Sequence, residues 1–177
     1  MALWVFGYGS LLWNPGFEPA QTERAVLRGY SRSFCMLSIH HRGTVEKPGL
    51  VLALDEDPDT QCTGIAFKVA KSDEVRVLAE LRERELISSA YVEANVTLTL
   101  DGGDDITALA YVIDPNHEQY CGFDLETQAQ MIARAVGGRG PNPEYLNNTS
   151  AHLIEMGIND PDMNWLVDRV AQINSAP

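Results

Sequence analysis

Residues 4–13 read Trp4-Val5-Phe6-Gly7-Tyr8-Gly9-Ser10-Leu11-Leu12-Trp13. The stretch 4–8 is apolar and aromatic around one glycine and predicts a short buried strand. The strand ends in the turn Gly7-Tyr8-Gly9-Ser10. Two glycines in three residues at a strand end let backbone approach a ligand closely. Successive N–H groups in such a turn form a nest for a carboxylate or an oxyanion. The same residues also suit a tight turn that needs glycine for its dihedrals alone. Residue type does not choose between these readings.

Working outward, residues 25–38 predict one or two strands, interrupted near Gly29, and residues 40–48 a polar loop. Residues 50–54 read as strand, 55–61 as an acidic turn, and the alternating 64–69 as strand. Ser72 is expected to cap a helix, with Asp73 and Glu74 well placed against its dipole. Val75, Leu78, Leu81 and Leu86 would form its buried face. Residues 91–100 and 106–113 predict a hairpin across Asp101-Gly102-Gly103-Asp104. The last third is helical. Asp124 caps a helix through Val136 that Gly137-Gly138 stops, Pro143 opens a second that ends at Gly157, and Asp160-Pro161 starts a third over 163–173. Strands first and helices later give an α+β fold, whose five to seven short strands form a sheet or a small closed barrel.

A chain of 177 residues is one domain by length, 1–177. It is long enough to fold on its own core without a disulfide or a metal. It carries 13 basic and 25 acidic residues, a formal charge of −12. That balance argues against nucleic acid, whose phosphates need a basic face, and against docking on an anionic membrane. A small anionic substrate stays open, since a local pocket can be positive on an acidic protein. No stretch approaches the ~20 apolar residues of a membrane span, and the start lacks the basic segment of a signal peptide. Cys35, Cys62 and Cys121 are odd in number and show no Cys-x-x-Cys, so they are expected as reduced thiols in the cytoplasm. The sequons at Asn95 and Asn147 are then chance matches.

Common catalytic signatures are missing. Gly7-Tyr8-Gly9 begins like a dinucleotide fingerprint, but Leu12 stands where the third glycine belongs. Ser10 lacks the glycines of a nucleophile elbow. The four histidines lack zinc-site spacing, so no metal and no cofactor is expected. One other feature remains, Arg82-Glu83-Arg84-Glu85-Leu86-Ile87 at a predicted helix end. Most such runs are solvated faces with paired charges, and that is the plainer reading. Yet Glu85 precedes two apolar residues, with Tyr91 following. A carboxylate among such neighbours has a raised pKa and can serve as a base near neutral pH.

Five blocks in order carry a resemblance. They are Val5-Phe6-Gly7-Tyr8-Gly9-Ser10-Leu11-Leu12-Trp13-Asn14-Pro15-Gly16-Phe17; Gly29-Tyr30-Ser31-Arg32 with Phe34; and His41-Arg42-Gly43 with Pro48-Gly49. Then come Arg84-Glu85 with Tyr91, and last Gly140-Pro141-Asn142 with Glu144-Tyr145-Leu146 and Gly157-Ile158-Asn159-Asp160. This series resembles the ChaC-type, glutathione-specific γ-glutamylcyclotransferases. The resemblance implies a small β-barrel with external helices, the γ-glutamylcyclotransferase-like fold. It also implies glutathione as a small-molecule substrate, cleaved to 5-oxoproline and cysteinylglycine by attack of its own γ-glutamyl amine.

By the same resemblance Glu85 is the catalytic base, and Val5, Phe6, Gly7, Tyr8, Gly9, Ser10 and Leu11 hold the glutamyl end through backbone groups. Tyr145 would add a wall or a hydroxyl contact. Arg42 is read as a loop ion pair. Many relatives carry glycines where Ser88-Ser89-Ala90 stand here, which bears on the mobility of that loop. Glu83 competes with Glu85, though the spacing to Tyr91 selects Glu85. The rival readings are a cyclotransferase for other γ-glutamyl compounds, a non-catalytic γ-glutamyl-binding module, and a hydrolase that releases glutamate.

Overall fold

The computed structural model describes residues 2–176, so the ends of the expected 1–177 domain, Met1 and Pro177, lie outside the described residues. Five strands close a barrel in the order β1-β3-β2-β4-β5. They are β1 (Trp4–Gly7), β2 (Gln21–Ser38), β3 (Gly49–Lys68), β4 (Tyr91–Leu100) and β5 (Asp105–Ile113). The closed form is thus the outcome of the sheet-or-barrel alternative. Closure rests on β1, which pairs antiparallel with β3 from Trp4↔Lys68 to Gly7↔Ile65 and parallel with β5 at Val5↔Leu109. All four residues of β1 are buried, as its apolar composition predicts.

By internal contacts the chain divides into two compact units, Met1–Arg32 with Leu54–Glu118, and Ser33–Ala53 with Gln119–Pro177. The first contains β1, the short helix α1 (Ser10–Trp13), α2 (Glu74–Glu85) and the β4–β5 hairpin. That hairpin forms as the sequence predicts: Leu100 N–H donates to Asp104 O across the turn at 2.8 Å, and Gly103 takes a positive φ of 97°. Its core gathers Val5, Leu11, Val69, Val77, Leu81 and Tyr111, with Phe17, Leu86 and Tyr91 packed against it.

Several expectations for this unit are corrected. Residues 55–61 are not a turn but lie within β3. Its acidic side chains are half-buried or exposed along the strand, so composition misjudged the conformation. Asp57 keeps a local bond there, its carboxylate accepting from Asp59 N–H at 3.1 Å. Likewise β2 runs unbroken through Gly29, whose φ is +88°. Ser72 is not the helix cap either. It lies in a 3₁₀ turn, Lys71–Asp73, and α2 starts after Asp73. The buried face also differs: Val77 and Leu81 are buried, while Val75 is 87% exposed.

The second unit holds α3 (Leu125–Arg134), α4 (Asn142–Glu155) and α5 (Pro161–Ser175), which pack on one another. Asp124 and Asp160 cap α3 and α5 as predicted, accepting from Thr127 N–H at 2.8 Å and Met163 N–H at 3.1 Å. Helix α3 stops two residues before Val136, however. Val136–Gly137 is β6, paired with β7 (Gly140–Pro141), and Gly138 N–H donates to His40 O at 2.7 Å. The glycines serve a small hairpin laid on backbone 41–43, which leaves no room for a Cβ at Gly137. All three cysteines are buried thiols. Among the described residues no helix is long and apolar enough to cross a membrane.

Candidate active site

The turn after β1 closes within a few residues. Leu12 N–H donates to Gly9 O at 2.8 Å and Asn14 N–H to Ser10 O at 3.0 Å, so α1 begins at once. The chain doubles back so closely that a Cβ on Gly7 would lie 2.9 Å from the Phe67 ring and 3.1 Å from Leu11 C and Leu12 N. Gly7 is therefore required for space. The positive-φ glycines are Gly16, Gly29, Gly103, Gly140 and Gly157, so neither Gly7 nor Gly9 serves a left-handed turn. The N–H groups that open a helix have no preceding turn to accept them. Here those are the groups at Ser10 and Leu11, which suits them to an oxyanion or a carboxylate. Val5 and Phe6 are wholly buried within β1, Tyr8 and Leu11 are nearly so, and Ser10 is the exposed residue of the turn.

Arg32 braces the turn from β2, its Nε donating to Tyr8 O at 2.7 Å and its Nη2 to Thr63 O at 2.5 Å. Sequence reading placed Arg32 in a matching block but gave it no role. Its partners lie 24 and 31 residues away, with no local signature.

Glu85 is the last residue of α2. Its side chain is 16% exposed, and burial raises its pKa above the ordinary glutamate value, an effect that the Arg84 charge partly offsets. The Arg84 Nε stands 3.4 Å from Glu85 Oε1. The same guanidinium donates from Nη2 to Ser10 Oγ at 3.1 Å and from Nη1 to Asn14 O at 2.7 Å. The carboxylate thus sits one guanidinium away from the glycine turn. Glu83, its competitor, points to solvent as an exposed residue.

A second carboxylate lies close by on β4. Glu93 accepts from Arg82 Nε and Nη2, both at 3.0 Å, and from the buried Tyr111 hydroxyl at 3.0 Å. Those hydrogen bonds hold the Glu93 pKa below the usual carboxylate value. Tyr111 is shifted upward, chiefly by burial and by its bond to Glu93, with the Glu85 charge adding to the effect. Sequence reading missed this Arg82–Glu93–Tyr111 chain because it joins α2, β4 and β5 through contacts that only the fold creates.

The loop after Glu85 is tied down by local bonds at residues 88–90. Ser88 Oγ accepts from Ala90 N–H at 3.2 Å, Ser89 Oγ bonds the His117 ring at 3.0 Å, and Asp114 N–H donates to Ala90 O at 2.8 Å.

The remaining expected contact, Tyr145, belongs to the second unit and is described there. Its hydroxyl accepts from Leu52 N–H at 3.2 Å, and its ring meets Phe34 edge-on at 6.1 Å. The Arg42 guanidinium lies 5.7 Å from the Tyr145 ring centroid, donates to Pro141 O at 3.1 Å and pairs with Glu144 at 3.6 Å. Arg42 is thus the loop ion pair that the sequence suggested. Among the described residues no group of His, Cys, Asp or Glu is arranged to hold a metal ion.

The model of the ChaC-like protein family matches residues 3–173. The chain belongs to the ChaC-like family. Within it, the chain is 35% identical over 175 residues to the glutathione-specific gamma-glutamylcyclotransferase of Escherichia coli (strain K12), covering 97% of this chain and 74% of that one. It is 38% identical over 177 residues to glutathione-specific gamma-glutamylcyclotransferase 1 of Mus musculus, covering 97% and 79%. Among solved ChaC-like folds, the yeast gamma-glutamyl cyclotransferase specific to glutathione superposes with a TM-score of 0.85, covering 98% of this chain and 97% of that one. At 23% identity that likeness speaks for the fold alone.

Proposed function

We propose that this ChaC-like protein is a glutathione-specific γ-glutamylcyclotransferase. The observation that carries the reading is Glu85, a largely buried carboxylate with a raised pKa, joined through Arg84 to the turn at 7–11. The names of its relatives supply the substrate. The γ-glutamyl α-amine of glutathione attacks the γ-carbonyl carbon of the same molecule. A C–N bond forms to close the five-membered ring, and the amide C–N bond to cysteine breaks. The products are 5-oxoproline and cysteinylglycine, and no water is consumed.

The reaction is intramolecular, so most of the work is holding the glutamyl chain in a near-attack shape. Backbone groups of Val5, Phe6, Gly7, Tyr8, Gly9, Ser10 and Leu11 hold the α-amino and α-carboxylate end and donate to the developing oxyanion. Glu85 accepts the proton that the α-amine loses and returns it to the departing amide nitrogen. A carboxyl pushed upward by burial suits both transfers better than an ordinary one, because its affinity for the proton lies nearer neutral pH. Tyr145, expected from the resemblance to add a wall or a hydroxyl contact, belongs to the second unit, where its hydroxyl accepts from Leu52 N–H.

We read 1–177 as one domain of this kind, supported by a family match that runs through both compact units. We place it in the cytoplasm on its buried, reduced thiols. The test is incubation of the purified protein with reduced glutathione and a chelator, followed by mass spectrometry. Wild type is expected to yield 5-oxoproline and cysteinylglycine in equal amounts, and Glu85→Gln neither. Intact glutathione with wild type would overturn the substrate, and free glutamate would identify a hydrolase.

A further inference from the structure

We propose that Arg84 is a positioning residue that fixes the spacing between the turn at 7–11 and the Glu85 carboxylate. The inference deepens the reading above and rests on it. Its basis is the division of one rigid fork between two elements. The Nη atoms of Arg84 hold Ser10 Oγ and Asn14 O, its partners 74 and 70 residues away, while Nε faces Glu85. A planar guanidinium has donors at fixed angles, so atoms bound to it are held at a fixed separation. The Asn14 carbonyl lies at the C-terminal cap of α1, beyond the donors of that four-residue helix.

Arg76 provides the contrast. It pairs with Glu80 at 3.2 Å and Asp73 at 3.4 Å, both within one turn of its own position. That pairing decorates a helix, whereas Arg84 bridges two segments that the proposed chemistry uses together.

Arg84 also supplies the positive charge nearest Glu85. The other titratable group that feels the Glu85 charge is Tyr111 of β5, whose hydroxyl donates to Glu93 of β4, itself held by Arg82 of α2. Glu93 is kept ionised by Arg82, and Tyr111 is kept protonated. Replacing Arg84 by a neutral residue removes the charge that opposes the burial of Glu85. The acid limb of kcat/KM, which reports the base of the free enzyme, then moves to higher pH.

The experiment compares wild type, Arg84→Gln, Arg84→Lys and Arg76→Gln on glutathione across pH. A misplacement of about 1 Å is worth up to ~100-fold in rate. Arg84→Gln is therefore expected to lower kcat by roughly ten- to a hundredfold and to shift the acid limb upward. Arg84→Lys keeps the charge but loses the fork, so it should lower kcat while leaving the limb in place. Arg76→Gln should change neither. Wild-type kcat in Arg84→Lys, or an unmoved limb in Arg84→Gln, overturns the proposal. If Arg84→Gln does not fold, kcat in Arg84→Lys alone decides.

If wild type itself does not turn glutathione over, the functional reading has failed, and the positioning role is read directly. The Glu85 carboxyl ¹³C resonance, identified by its loss in Glu85→Gln, should titrate at higher pH in Arg84→Gln. Identical titrations in the two proteins would reject the role of Arg84.

Discussion

Glu85 and Glu93 lie at the same end of one barrel unit, and the fold treats them in opposite ways. Glu93 sits on β4 with a bidentate arginine and a tyrosine hydroxyl on its oxygens, and its pKa falls. Glu85 ends α2 in a more buried position with only an arginine Nε at 3.4 Å, and its pKa rises. The residue type is the same, so the difference comes from how many donors meet the charge once water is removed. A carboxylate saturated with donors is a fixed anion. One stripped of water and under-supplied with donors keeps its appetite for a proton, which is what a base requires.

The strongest way to break this contrast is to neutralise each carboxylate in turn. Glu85→Gln is expected to lower kcat by about 10²–10⁴-fold, the usual worth of a general base. Its effect on stability has the opposite sign. A carboxylate whose folded pKa is raised weighs against the folded state once both states are ionised. Glu85→Gln should therefore melt above wild type at neutral pH, with the gap closing as pH falls below the ordinary glutamate value. Glu93→Gln should melt below wild type at neutral pH, because a lowered folded pKa contributes stability above the unfolded value. That deficit should shrink as pH falls through the lowered pKa. Thermal melts across pH check both signs, and parallel curves for the two variants would contradict the distinction.

Next in size is Gly7→Ala. Its Cβ would meet the Phe67 ring at 2.9 Å and backbone at 3.1 Å, so about 1–3 kcal/mol of stability should be lost. Turnover should fall with it, as the turn is forced open. A melt and a rate equal to wild type would show that the turn has slack. Tyr111→Phe removes the hydroxyl that holds Glu93 and should cost about 1.5 kcal/mol in denaturant unfolding. Its kcat should fall far less than that of Glu85→Gln. The smallest effect is expected of Glu83→Gln, because Glu83 is exposed. Its turnover should match wild type, and a large loss would move the base from Glu85 to its neighbour.

Local signals were read well where the physics is local. The Asp124 and Asp160 caps, the proline at the start of α5 and the Asp101–Asp104 turn each depend on groups within a few residues. The strand at 4–7 was legible from its unbroken apolar run. Reading failed where a distant partner sets the outcome. The acidic stretch 55–61 lies within β3, and the buried side of α2 carries Val77 instead of Val75.

The candidate site divides in the same way. The sequence alone determined that a glycine turn follows the first strand, that Glu85 ends a helix, and that the ordered blocks resemble the ChaC-like family. These are statements about residue identity and short-range spacing, which the chain carries with it. Only the tertiary structure decided why Gly7 is needed, which arginine holds the turn to the carboxylate, and why Glu85 and Glu93 titrate in opposite directions. Each of those depends on atoms brought together from far along the chain and on how much water their meeting excludes.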